Sequence, residues 1–159
     1  MNVSETMSSP AVAVPARTPI GDVAQRMDEY GVGSVVVTQG GTLRGIATDR
    51  DLALRALSQG LDSDVPVERV MSSPVITVAV TADIREAYRI FRRSQVRRLP
   101  VLDGRRVVGM LTVDDMLMDV FQRVADLLGP VAWSVLEEPP GPPSATGPAR
   151  NMTSPDDAR

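Results

Sequence analysis

The sequence predicts an α/β (α+β) fold: two copies of a β-α-β-β-α unit packed with pseudo-twofold symmetry, followed by a disordered C-terminal tail. Three observations predict it. First, Met7-Ser8-Ser9-Pro10 recurs as Met71-Ser72-Ser73-Pro74, an offset of 64 residues. The offset holds without a gap through Val3 and Val67, Val14 and Val78, Ile20 and Ile84, Val32 and Val96, Val37 and Val101, Gly40 and Gly104, Gly45 and Gly109, Thr48 and Thr112, and Asp51 and Asp115. Second, apolar residues follow a strand period, a helix period and a strand period again within each copy. Third, proline crowds the end of the chain from about Glu137. The period exceeds the 20–50 residues of solenoid repeats, so two copies point to a pair.

The elements follow in order. After each Ser-Pro comes a short apolar strand, Ala11–Val14 and Val75–Val78. A helix follows, with Ile20, Val23, Ala24 and Met27, or Ile84, Ala87, Tyr88 and Phe91, at i, i+3, i+4 and i+7. Ser34–Val37 and Leu99–Leu102 are β-rich runs. Gly40-Gly41 and Asp103-Gly104 are hairpin turn signals. Leu43–Ala47 and Val107–Leu111 return, and a helix closes each copy. In the second copy Met116, Leu117, Val120, Phe121, Val124, Leu127 and Leu128 form its apolar stripe, which Gly129-Pro130 is expected to end. Residues 3–60 are thus the first repeat, 61–66 a linker, 67–128 the second repeat, and 129–159 a Pro-rich, mostly disordered tail. Half-covered sheets would expose apolar surface separately, so the two are expected to pack face to face as one body.

Composition narrows the function. All 17 basic residues are arginine; there is no His, Cys or Lys. That removes thiol nucleophiles, disulfides, imidazole bases, metal-ligating thiolates and imidazoles, Schiff-base lysines and a P-loop lysine. A net charge of −3 argues for no general nucleic-acid or membrane partner. No apolar run is long enough to span a bilayer and no signal peptide is evident, so a cytoplasmic protein is expected.

The junction of return strand and closing helix carries the chemistry. Gly45-Ile46-Ala47-Thr48-Asp49-Arg50-Asp51 and Gly109-Met110-Leu111-Thr112-Val113-Asp114-Asp115 share Gly, two apolar residues, Thr, two variable residues, Asp. One reading is a capping box, with Thr at the N-cap and Asp at N3. The other uses the same geometry for a ligand. A helix start attracts an anion, and a carboxylate one turn in accepts ribose hydroxyls.

The duplicated openings, Val96-Arg97-Arg98-Leu99-Pro100-Val101 and the Gly-Ile-Ala-Thr-Asp-Arg-Asp junction resemble a CBS-domain pair (Bateman module) over residues 3 to about 125. The first copy departs from the pattern, with Gly33-Ser34-Val35-Val36 where the second has Arg97-Arg98-Leu99-Pro100. The resemblance implies a stand-alone regulatory module, not an enzyme, that binds an adenosine-containing nucleotide. AMP, ADP or ATP lead; S-adenosylmethionine or NAD also carry the adenosine; no cofactor is required. It implies one pocket with Thr48 and Asp51, Arg97 and Arg98 opposite, the Pro100 strand behind them, and Thr77 and Val78 walling the base. The other would use Thr112 and Asp115, facing Ala13 and Gly33, and would lack the basic pair. The first is therefore expected to prefer a phosphorylated ligand. Arg50 is open to two readings, a surface ion pair or a phosphate contact.

CBS pairs commonly form head-to-head or head-to-tail dimers, so a homodimer is expected, with the helices from Ile20, Ile84 and Leu117 as surfaces and an unidentified regulated protein as a further partner. Arg85, Arg89, Arg92 and Arg93 form either a solvated helix face or a site for an acidic partner; nucleic acid is disfavoured because that face shows no aromatic residue for stacking. Two other functions compete. One is a nucleotide-independent interaction scaffold in which the junctions are only caps. The other is an enzyme using Asp49, Asp51, Asp114 and Asp115 around Mg²⁺.

Overall fold

The structure, a computed structural model, describes residues 1–137, with side chains through residue 132. The expected disordered tail lies outside the described residues from 138 onward. Residues Met1–Gln122 form one compact unit that holds both repeats; a second unit begins at Arg123.

Each repeat builds a three-stranded sheet. In the first, β1 (Ala13–Pro15) runs parallel to β2 (Ser34–Gln39), and β2 runs antiparallel to β3 (Thr42–Thr48). In the second, β4 (Val78–Ala79), β5 (Arg98–Asp103) and β6 (Arg106–Thr112) repeat that order. The register repeats too: Val14 pairs with Val37 and Val78 with Val101, Ser34 with Thr48 and Arg98 with Thr112. Both middle strands are continuous apolar runs, as strands covered on both faces require. Val35, Val36, Val37, Leu99 and Val101 are fully buried. β3 lies against β6, which joins the sheets.

The opening strands start later than expected, and that of the second repeat is shorter. Val36 N–H donates to the Val12 carbonyl at 2.9 Å. Its equivalent is Pro100, which has no N–H to give to Ile76. β4 therefore spans two residues where β1 spans three.

Helix α1 (Ile20–Tyr30) ends at Gly31 with φ +62°, and α3 (Ile84–Ser94) starts at Asp83, whose carboxylate accepts from Arg85 N at 2.8 Å. The closing helix of the first repeat begins as α2 (Asp49–Asp51), widens to a π turn over Leu52–Ala56 and tightens to a 3₁₀ turn over Leu57–Gln59. That of the second repeat, α4 (Val113–Glu137), is continuous. The expectation that Gly129-Pro130 ends it is corrected. Proline removes one backbone bond inside a helix, yet α4 runs on through Pro130 to Glu137. Of the apolar stripe assigned to α4, only Met116 is buried; Leu117, Val120, Phe121, Val124, Leu127 and Leu128 are exposed.

The repeats exchange their openings. Val3 N–H donates to the Ala82 carbonyl and Val67 N–H to the Thr18 carbonyl, 2.9 and 2.8 Å. Ser8 pairs with Met110, and Ser72 with Ile46. Val3 is thus buried in the core of the second repeat, beside Val78, Leu99 and Leu111. Val67 and Val70 are buried in the core of the first, beside Val14, Val35 and Ala47. Gly45 and Gly109 make the crossing possible. A Cβ on Gly109 would lie 2.8 Å from the Ser8 carbonyl oxygen, and one on Gly45 would lie 2.9 Å from that of Ser72.

Candidate functional site

Both Thr–Asp junctions form reciprocal capping boxes. Asp51 N–H donates to Thr48 Oγ1 at 3.1 Å, and Thr48 N–H to Asp51 Oδ2 at 3.0 Å. Asp115 N–H donates to Thr112 Oγ1 at 3.0 Å, while Thr112 N–H and Oγ1 both reach Asp115 Oδ2 at 2.8 Å. The sequence foretold these contacts because they span one helical turn and need no tertiary information.

The two boxes differ in their outer oxygen. Arg55, four residues on, places Nε 3.6 Å from Asp51 Oδ1, and its Nη1 donates to the Val70 and Met71 carbonyls at 3.3 Å. The equivalent position in the second repeat is Asp119. In the second repeat Asp115 Oδ2 carries both contacts from Thr112.

A cavity of about 230 Å³ lies at the second box. It is lined by Thr112 and Asp114 on one side and by Val32, Gly33 and Ser34 on the other, with Pro10, Ala11 and Val12 completing its wall and Arg98 entering it. A Cβ on Gly33 would stand 3.0 Å from Arg98 Nη2 and 3.2 Å from Asp49 Oδ2. Both neighbours are the far ends of side chains, so a methyl here would ask each to shift by only a few tenths of an ångström. Arg98 is here because it pairs directly with Thr112 across the β5–β6 ladder. Arg98, expected opposite Thr48 and Asp51 with Arg97, lines the cleft of Thr112 instead, and Arg97 does not line it. The register that decides it is a long-range property of the sheet. At the first box the equivalent ladder partner of Thr48 is Ser34, small and uncharged.

The remaining expected residues fall as follows. Arg97 is exposed, and its carbonyl accepts from Val113 N–H at 3.1 Å, just as the Gly33 carbonyl accepts from Asp49 N–H. Arg50 is exposed. Thr77 is half-buried, but Val78, expected to wall the base, is turned into the second core with 4% exposure because alternation along β4 points it inward. Pro100 is buried in the middle strand and Ala13 is exposed on β1. Sequence reasoning missed Pro10, Ala11, Val12 and Val32. The signal was available: they flank the Met-Ser-Ser-Pro opening and Gly33, and the openings are exchanged. Another cavity, of about 400 Å³, is lined by Leu43, Arg44, Ser73, Pro74 and Val75.

Among the described residues no three Asp or Glu side chains are grouped to hold a metal, and no helix is long and apolar enough to cross a membrane. Tyr88 and Phe91 share a groove with Arg89, Arg92 and Arg93, so the arginine face does carry aromatic neighbours, contrary to expectation. Successive residues on a helix lie 100° apart, so the edges of the two stripes meet.

The CBS domain model matches residues 3–58 and 67–121. The chain is similar to the CBS domain-containing protein YhcV of Bacillus subtilis (strain 168), 32% identical over 118 residues, which cover 74% of this chain and 84% of YhcV. Among solved structures it resembles the CBS domain protein PAE2072 from Pyrobaculum aerophilum complexed with AMP, at 31% identity and a TM-score of 0.66, covering 72% of this chain and 89% of that one. The CBS domain pair of protein MJ0100, in complex with 5-methylthioadenosine and S-adenosyl-L-methionine, shares the fold at 24% identity and a TM-score of 0.70, covering 77% and 98% of the two chains.

Proposed function

This chain belongs to the CBS-domain family, and we propose that it is a regulatory module that takes an adenosine-containing nucleotide into the cleft between its repeats and signals through conformational or oligomeric change. The observation that carries this reading is the cavity where Thr112, Gly33 and Arg98 meet at the start of α4. A helix start favours an anion, and a guanidinium matches phosphate oxygens with paired donors. In the reading, Arg98 holds the phosphate, Asp115 Oδ1 accepts from a ribose hydroxyl, and Val12 and Val32 flank the base. The AMP bound by PAE2072, a relative at 31% identity, supports the ligand class. The second site of the reading is the Thr48–Asp51 box, whose ladder neighbour is the uncharged Ser34.

The reading assigns no catalytic step and places the protein in the cytoplasm as a self-associating sensor, with a regulated protein downstream. A second reading has its own support: both Thr–Asp pairs already satisfy each other, as pure caps in an interaction scaffold would. Isothermal titration calorimetry with AMP, ATP and S-adenosylmethionine separates the two. The sensor reading expects micromolar binding of at least one. No heat with any, and an unchanged Tm at millimolar ligand, would leave the scaffold.

A further inference from the structure

Helix α3 carries a charge that the chain as a whole does not share. Arg85, Arg89, Arg92 and Arg93 stand on it against one acidic residue, Glu86, in a protein whose net charge is −3. All four arginines are exposed, and none makes an ion pair among the described residues. Three of them, Arg89, Arg92 and Arg93, line one groove of about 560 Å³. No Asp or Glu lines that groove. Its apolar part is Tyr88 and Phe91, with Val96 and Val113. Like charges gathered in one groove repel one another, and no lining residue neutralises them.

The fold does not ask for this set. At the offset of 64 residues the first repeat has Ala24 for Tyr88, Gln25 for Arg89, Met27 for Phe91, Asp28 for Arg92 and Glu29 for Arg93. The same helix is built there without one of these arginines or aromatics. The chemistry of the groove points to its occupant. A guanidinium takes a carboxylate through two parallel hydrogen bonds. The apolar residues beside it suit an aliphatic or aromatic side chain. A short acidic segment meets only this local positive field, whereas a long polyanion also meets the negative charge of the whole chain.

We propose that this groove docks an acidic segment of a partner protein. An apolar anchor residue of the segment lies against Tyr88 and Phe91, and its carboxylates pair with Arg89, Arg92 and Arg93. The inference does not depend on what the clefts bind.

The test uses the full-length protein and a fluorescein-labelled decapeptide of glutamates around one leucine and one phenylalanine, read by fluorescence anisotropy. The proposal expects micromolar binding at low salt, lost as the Debye length falls to about 3 Å near 1 M salt. Replacing the glutamates by glutamines is expected to weaken binding at least roughly tenfold. Arg92→Glu with Arg93→Glu is expected to do the same. Tyr88→Ser is expected to weaken binding and leave its salt dependence in place. All three positions are exposed, so the circular dichroism of these variants is expected to match the wild type. No binding of the acidic peptide, or equal binding of the glutamine peptide, overturns the proposal. An oligothymidylate of equal charge that binds as tightly as the peptide overturns it in favour of nucleic acid. No peptide binding, together with a fall in molar mass by light scattering when the two arginines are reversed, overturns it in favour of a second copy.

Discussion

Thr112 and Asp115 close the start of α4, and Thr112 also lines the cleft. Removing a cap side chain costs about 0.5–2 kcal/mol, so Thr112→Ala is expected to lower stability by that amount in urea unfolding, whatever the protein binds. Asp115→Asn separates the roles. It keeps an oxygen for the cap but gives up the charge for a ribose hydroxyl, so nucleotide affinity falls more than stability. These local pairs were legible in the sequence, since Thr and Asp three apart at a strand–helix junction meet by construction. The place of Arg98 was not. Its cleft is set by its ladder partner Thr112 and by Gly33 of the other repeat, and neither contact is encoded in a motif. Val78 shows the same limit, because strand alternation turned it to the core once the start of β4 moved.

At the scale of elements, the crossing of each opening over the partner's return strand depends on a glycine. Gly109→Ala would drive a methyl against the Ser8 carbonyl, which is backbone and cannot step aside. Overpacking of this kind costs about 1–3 kcal/mol, and thermal melting should show it as a lowered Tm. Leu111→Ala, at a fully buried site beside Val3, should cost about 2–5 kcal/mol. Helix positions, hairpins and middle strands were all readable from period and turn residues. The irregular closing helix of the first repeat was not, since no residue in the run Leu52–Gln59 marks its π and 3₁₀ turns. Nor was the passage of α4 through Pro130, since Gly129-Pro130 is by itself a stop signal.

For the whole molecule, exchange of the openings ties the repeats into one cooperative structure. Val3 fills the second core from the start of the chain, and Val67 fills the first from the start of the second repeat. A repeat cut out at residue 67 would keep its strands but lose Val3. It is expected to unfold at a much lower denaturant concentration than the full chain, which should melt in a single transition. The duplication itself was plain in the sequence, but an ungapped offset is equally compatible with two halves side by side. Only the contacts of residues 1–9 and 61–72 distinguish the exchanged arrangement.

The measurement that tests the central claim most directly is calorimetric titration of AMP into the wild-type protein and into Arg98→Met. A charged hydrogen bond contributes about 1.5–3 kcal/mol. The account therefore predicts micromolar binding to the wild type and at least a roughly tenfold loss in the variant, with folding unchanged by circular dichroism. Equal affinity in both proteins, or no binding to either, would contradict it.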